Sequence, residues 1–237
     1  TNHGGFSGFH NNVWQWEELP DGIRFSLYSP DGEGGFPGNI RVITDYRFNE
    51  DNELSVRHYA ETDCATYINM TNHAYFNLCG KGKKITEHRL HIPADRILDT
   101  TPAFIPTGKR MNVKNTPFDF TSLKPIGTDL YADHEQLLWN KGYNHCYILK
   151  DEISVEMLEA ASLYEPVTGR KMTVMTDLPA VLLYTAGYYE RPDTAVCLET
   201  QFYPDTPSHS DFPSCLVLPE KAYEHCTLFH FQVQKEE

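Results

Sequence analysis

Residues 39–60 read NIRVITDYRFNEDNELSVRHYA, and their spacing decides the fold class. Ile40, Val42, Thr44, Tyr46 and Phe48 share one face at every second position, the period of a strand. Asn49, Glu50, Asp51 and Asn52 interrupt the run with polar turn formers, and ELSVRHYA resumes it. The stretch therefore predicts a β-hairpin with a solvated tip rather than a metal loop. Upstream, WQWEEL and IRFSLYSP flank Pro20-Asp21-Gly22, a second hairpin in which Ile23, Phe25 and Leu27 alternate. Downstream come ATYINMTNHAYFNL, EHRLHIPA, HCYILK, SVEMLEAASLYEP, RKMTVMTD, AVLLYTAG, TAVCLETQFYP and TLFHFQVQ, punctuated by Pro and Gly. Only DHEQLLWN, residues 133–140, has helical character. No linker, low-complexity tract or repeat divides the chain. Many short strands with almost no helix predict an all-β protein, a large antiparallel sandwich or barrel forming a single domain over residues 1–237.

Composition narrows the function classes. With 20 Lys and Arg against 33 Asp and Glu, the net charge is −13. Such a surface repels nucleic acid and anionic membranes and favours neutral or cationic partners. No Lys/Arg cluster promises a phosphate pocket. The six cysteines, at 64, 79, 146, 197, 215 and 226, form no CxxC pair and read as reduced thiols. The histidines show no metal-ligand spacing, so no structural metal is expected. No apolar stretch is long enough to span a bilayer and no signal peptide is visible, so a cytoplasmic location is expected. Asn69-Met70-Thr71 is a formal glycosylation sequon, read here as accidental in an interior strand.

Two polar residues stand out in strand-like runs. In TNHAYFNL, residues 71–78, Thr71, His73 and Tyr75 point one way and Asn72, Ala74 and Phe76 the other. In TAVCLETQFYP, Val196, Leu198 and Thr200 read as core, which puts Cys197, Glu199 and Gln201 on the opposite face. A mid-strand carboxylate with apolar neighbours is costly to ionise, and a rigidly held His and Glu are what acid/base catalysis needs. Pattern alone leaves the alternative open: a strand histidine is more often a structural residue, and spacing does not make the two strands neighbours. His3-Gly4-Gly5 is either a binding loop or only a loop. Residues 31–38, DGEGGFPG, read as a turn needing positive φ, since they lack the helix and lysine of a phosphate cradle.

Taken together, nine stretches in order resemble the aldose 1-epimerase (galactose mutarotase) family. They are HGG with GF and Trp14 downstream (3–14), DGEGGFPGN (31–39), TNHAYFNL (71–78), IPTG (105–108), PFDF (117–120), GYNH (142–145), GRKMTVMTDLP (169–179), CLETQFYPD (197–205) and FPSCLVLPEKAY (212–223). The resemblance implies a β-sandwich with a sugar cleft on a concave sheet face. It implies interconversion of the α and β anomers of a free aldohexose such as galactose or glucose, with no cofactor or metal. It assigns His73 as general acid, Glu199 as general base, His3 as a second, sugar-binding histidine and position 144 as a sugar-hydroxyl ligand.

Three departures from the family pattern modify that expectation. The chain begins inside a motif that family members reach well into their sequence. An upstream segment carrying strands and a sugar-binding Asn-Arg pair is therefore expected to be absent, leaving strand edges to pair with that segment or with a second copy. Asn144 stands where the family has Asp, and Leu182 where it usually has Gln. Both changes predict weaker or altered sugar selection. The competing expectation is a non-catalytic sugar-binding or regulatory homologue.

Overall fold

In a computed structural model of the protein, residues 2–80, 82–153 and 155–234 are described. The predicted hairpins form as read. β1 (Gln15–Leu19) and β2 (Gly22–Ser29) join at Pro20-Asp21, and β3 (Ile40–Phe48) and β4 (Glu53–Thr62) join through the polar tip. These four strands make a meander along one side of a nine-stranded antiparallel sheet. Between them lies the glycine loop, where Gly38 has a φ of +87° and a Cβ would meet Thr62 Oγ1 at 2.6 Å.

The chain continues through β5 (Thr66–Tyr67), β6 (Arg89–His91), β7 (Arg96–Thr100), β8 (Pro106–Asn112), β9 (Lys124–Pro125) and the short helix α1 (Glu135–Asn140). It then runs through β10 (Asn144–Ile148), β11 (Leu158–Glu165), β12 (Arg170–Thr176), β13 (Ala180–Tyr184), β14 (Cys197–Gln201), β15 (Leu216–Val217) and β16 (Tyr223–Val233). The large sheet has the order β1-β2-β3-β4-β16-β12-β11-β6-β9; β16 joins the N-terminal meander to the later strands. A five-stranded sheet, β14-β13-β10-β7-β8, faces it, and β15 pairs with β5.

The two sheets bury one core. Val56, Leu163, Met172, Val174 and Phe229 of the large sheet meet Ile97, Tyr147, Val181, Leu183 and Leu198 of the small one, the expected alternation of a sandwich. The exposed face of the small sheet is half covered: Tyr203 and Phe212 pack on Leu98, Cys146, Ile148 and Ala180. The rest of that face is open to the site described below.

One expectation needs correction, and one hairpin lies outside the predicted runs. TNHAYFNL is not a ladder strand; it is extended chain with a single bridge at Phe76. The hairpin of β7 and β8 falls where the sequence shows no long apolar alternation. Its Arg96, Lys109 and Arg110 serve ion pairs or solvent on the small sheet's edge. Among the described residues, no helix is long and apolar enough to cross a membrane.

Candidate functional site

β14 is the edge strand of the small sheet, and the TNHAYFNL segment lies along it, held at both ends. At one end Phe76 and Val196 exchange backbone hydrogen bonds, N to O, at 2.8 and 2.9 Å. At the other, the Asn69 side chain stands in for a strand: its Oδ1 accepts from Phe202 N at 2.9 Å and its Nδ2 donates to Phe202 O at 3.1 Å. Between the clamps residues 70–75 leave the ladder. Counting three residues back from Phe76 and three onward from Val196 puts His73 opposite Glu199. A continuous strand would spend its backbone on β14; this arched segment spends its side chains instead. Asn72 Nδ2 donates to the Tyr46 hydroxyl at 2.8 Å, and Asn77 Nδ2 donates to the carbonyls of Lys83 and Thr194, each at 2.8 Å. Phe76 anchors the segment in the core against Phe229. These contacts explain why Asn, and not Val or Ile, flanks the histidine.

The outer face of the small sheet is built in rows by strand register. Asn144, Tyr184 and Cys197 form one row, Cys146, Leu182 and Glu199 the next, and Ile148, Ala180 and Gln201 the last. Glu199 is 5% exposed. Burial among these apolar and thiol neighbours pushes its carboxyl up to about 8. His73 Nε2 lies 3.3 Å from Glu199 Oε1. The His73 Nδ1 is buried without a hydrogen-bond partner among the described residues.

Rings enclose the pair. Tyr75 stacks on His73 with centroids 4.9 Å apart, and Tyr184 meets it edge-on at 6.1 Å. Tyr189 lies 5.7 Å from Tyr75. His3 approaches His73 to 5.5 Å, and burial, with His73 and His10 adding to it, lowers the His3 pKa. His3 has a φ of +52°, and Gly4 and Gly5 after it also have positive φ. This tight turn aims a non-glycine side chain into the site at a conformational cost, a feature that clusters at functional positions. The donor atoms of His73, Cys197 and Glu199 all lie within 4.8 Å of one another.

The structure thus brings His3, His73 and Glu199 together and sets Asn144 on the same sheet face, two strands from Glu199. Leu182 is the direct cross-strand partner of Glu199. Sequence reasoning missed Asn69, Tyr184 and the position of Cys197 over the pair. Asn69 was visible only as a sequon, yet its amide is committed to Phe202. Tyr184 carried no signal beyond an aromatic-rich composition.

The chain is similar to known proteins over nearly all of its length. The family profile for aldose 1-epimerase matches residues 1–230. The galactose mutarotases of Rattus norvegicus and Homo sapiens are each 35% identical over 98% of this chain, which spans 69% of their length. The aldose 1-epimerase of Escherichia coli is 33% identical over 97% of the chain and 69% of its own length. Among solved structures, a GalM/aldose epimerase homologue from C. elegans superposes with a TM-score of 0.86 at 24% identity, covering 98% of this chain and 72% of that one. A galactose 1-epimerase from Lactobacillus acidophilus gives 0.82 at 26% identity, over 94% and 67%. With a family match spanning nearly all of its length and the sandwich of those relatives, the chain belongs to the aldose 1-epimerase family.

Proposed function

We propose that the chain, acting as one domain, is an aldose 1-epimerase that interconverts the α and β anomers of a free aldohexose such as galactose or glucose. The observation that carries this reading is the His73–Glu199 pair: an imidazole 3.3 Å from a carboxyl group that burial holds near neutrality. A base of this kind ionises close to working pH and still has a strong pull on a proton. Glu199 takes the proton of the anomeric hydroxyl. His73, protonated, gives its proton to the ring oxygen. The bond between C1 and the ring oxygen breaks, the aldehyde end rotates, and the ring closes on the other carbonyl face with both transfers reversed. Each transfer contributes roughly 10²- to 10⁴-fold, which is enough for a reaction that already proceeds in water.

The surrounding residues supply binding. His3, with its lowered pKa, is neutral near pH 7 and can both donate to and accept from a sugar hydroxyl. Asn144 offers the same pair of functions without charge. Tyr75 and Tyr184 present ring surface to the apolar face of a pyranose. Leu182 offers no hydrogen bond where it borders Glu199. The six cysteines are free thiols, which fits a reducing, cytoplasmic setting.

Polarimetry tests the proposal. Freshly dissolved α-glucose and, separately, α-galactose are followed with and without protein. Accelerated mutarotation that is lost in Glu199→Gln and in His73→Asn is expected. A folded protein that binds either sugar and accelerates neither would instead identify a non-catalytic sugar-binding homologue.

A further inference from the structure

Cys197 has no part in the chemistry above, yet it is fully buried beside both proton-transfer residues. Strand alternation fixes this: Cys197 and Glu199 are two residues apart on β14 and share its open face, while the arched segment brings His73 over them. No sequence spacing reveals the cluster, because its members come from two distant segments.

We propose that His73, Cys197 and Glu199 form a soft-cation site, selective for thiophilic divalent ions of the zinc and cadmium class, whose occupancy switches the enzyme off. One imidazole nitrogen, one thiolate sulfur and one carboxylate oxygen are a donor set that zinc accepts, leaving a fourth position for water. Zinc bonds of about 2.0–2.3 Å place ligand atoms roughly 3.5 Å apart around a tetrahedron. The three donor atoms here already lie within 4.8 Å of one another, so modest side-chain rotation completes the geometry. His73, about a third exposed, leaves a path in from the cleft. Calcium and magnesium, which want several oxygen ligands, find only one carboxylate. On binding, the cation takes the place of the Cys197 thiol proton and of any proton on Glu199, and both protons leave to solvent. The ion then occupies the groups that would exchange protons with the sugar, so inhibition follows without any change of fold. The loss of activity rests on the epimerase reading; cation binding does not.

The experiment uses the full chain carrying Cys64→Ser, Cys79→Ser and Cys226→Ser, which removes the three thiols that are not buried. Cadmium chloride is titrated while the ultraviolet thiolate-to-cadmium charge-transfer absorption is recorded. Zinc chloride inhibition of mutarotation is measured in parallel, with reversal by EDTA. Cys197→Ser and Cys197→Ala are made in the same background, each checked for a native melt. The expected result is a saturating charge-transfer band and EDTA-reversible inhibition. In both Cys197 variants the band disappears and inhibition weakens by at least about tenfold, the scale seen even for outer-shell partners of a metal. Equal zinc inhibition with and without Cys197, or no charge-transfer band in the reference protein, overturns the proposal. A band that depends on Cys197 in a protein that accelerates neither sugar keeps the cation site and overturns the epimerase reading instead.

Discussion

A carboxylate that must accept a proton has to ionise, and burial works against its charged form. At Glu199 burial moves the carboxyl from an ordinary 4.5 to about 8. In that window the native state holds a proton that the unfolded chain has released, so stability falls as pH rises from about 4.5 to about 8. Glu199→Gln removes the penalty. At about pH 8.5 the variant is expected to be more stable than the parent by on the order of 3–5 kcal/mol, and at about pH 4 the two should match. Urea denaturation at both pH values checks this, and a variant that is less stable at the higher pH contradicts a desolvated carboxylate. The kinetics follow from the proposed pair: it reacts with Glu199 ionised and His73 protonated, so kcat/KM for mutarotation should pass through a maximum with pH, and a rate that keeps climbing above about 8 would leave His73 without a role as acid. Leu182 makes a second test. Leu182→Gln places an amide beside the bound sugar, and one added hydrogen bond, about 0.5–1.5 kcal/mol, should lower KM by about 2- to 10-fold for one of the two hexoses. An unchanged KM for both would mean that no hydroxyl comes within reach of position 182.

At the scale of elements, the hairpins and the short helix were legible because their periodicity is local. The segment 71–78 was not. Its alternation predicted the faces correctly: His73 and Tyr75 stack on the site side, while Asn72 reaches Tyr46 and Phe76 reaches Phe229. What alternation could not show is that the segment arches away from β14 between two clamps, or that the register of those clamps sets His73 over Glu199. That register depends on contacts between residues remote in sequence, among them the amide of Asn69. Resemblance to a family supplied the pairing that pattern could not. Asn69→Ala removes two hydrogen bonds at one clamp and should cost about 1–3 kcal/mol in stability. If the clamp positions His73, mutarotation should fall through kcat more than through KM, and Asn69→Asp, which keeps the acceptor for Phe202 N, should recover part of the loss. Parallel losses in a melt and in KM alone would mean that Asn69 serves only the fold.

At the scale of the whole molecule, β16 lies between β4 and β12 and so makes one sheet of the N-terminal meander and the strands β12, β11, β6 and β9. The closed sandwich buries three histidines in their neutral form. Burial lowers His58 and His88 to about 4 and His145 to about 3. Their neutral state is built in: His88 Nε2 accepts from Leu78 N at 3.0 Å and His145 Nδ1 from Asn144 N at 3.0 Å. The unfolded chain protonates all three near 6.5, so the stability they contribute is present above that pH and is lost as pH falls toward 4. With Glu199 acting in the opposite sense, stability should drop by on the order of 2–3 kcal/mol per pH unit between about pH 6 and 4.5. Urea midpoints across that range check the slope, and a flat profile would mean that these imidazoles are reached by water. Local opening has its own reporter. Phe76 and Val196 exchange both backbone bonds three residues from His73 and from Glu199, so their two amide protons gauge the spacing of that pair. Deuterium should enter these amides as the anomer-exchange rate declines under mild urea, while core amides such as those of Leu163 and Val174 stay protected. The enzyme would then stop working by unfastening one bridge, well before the sandwich melts.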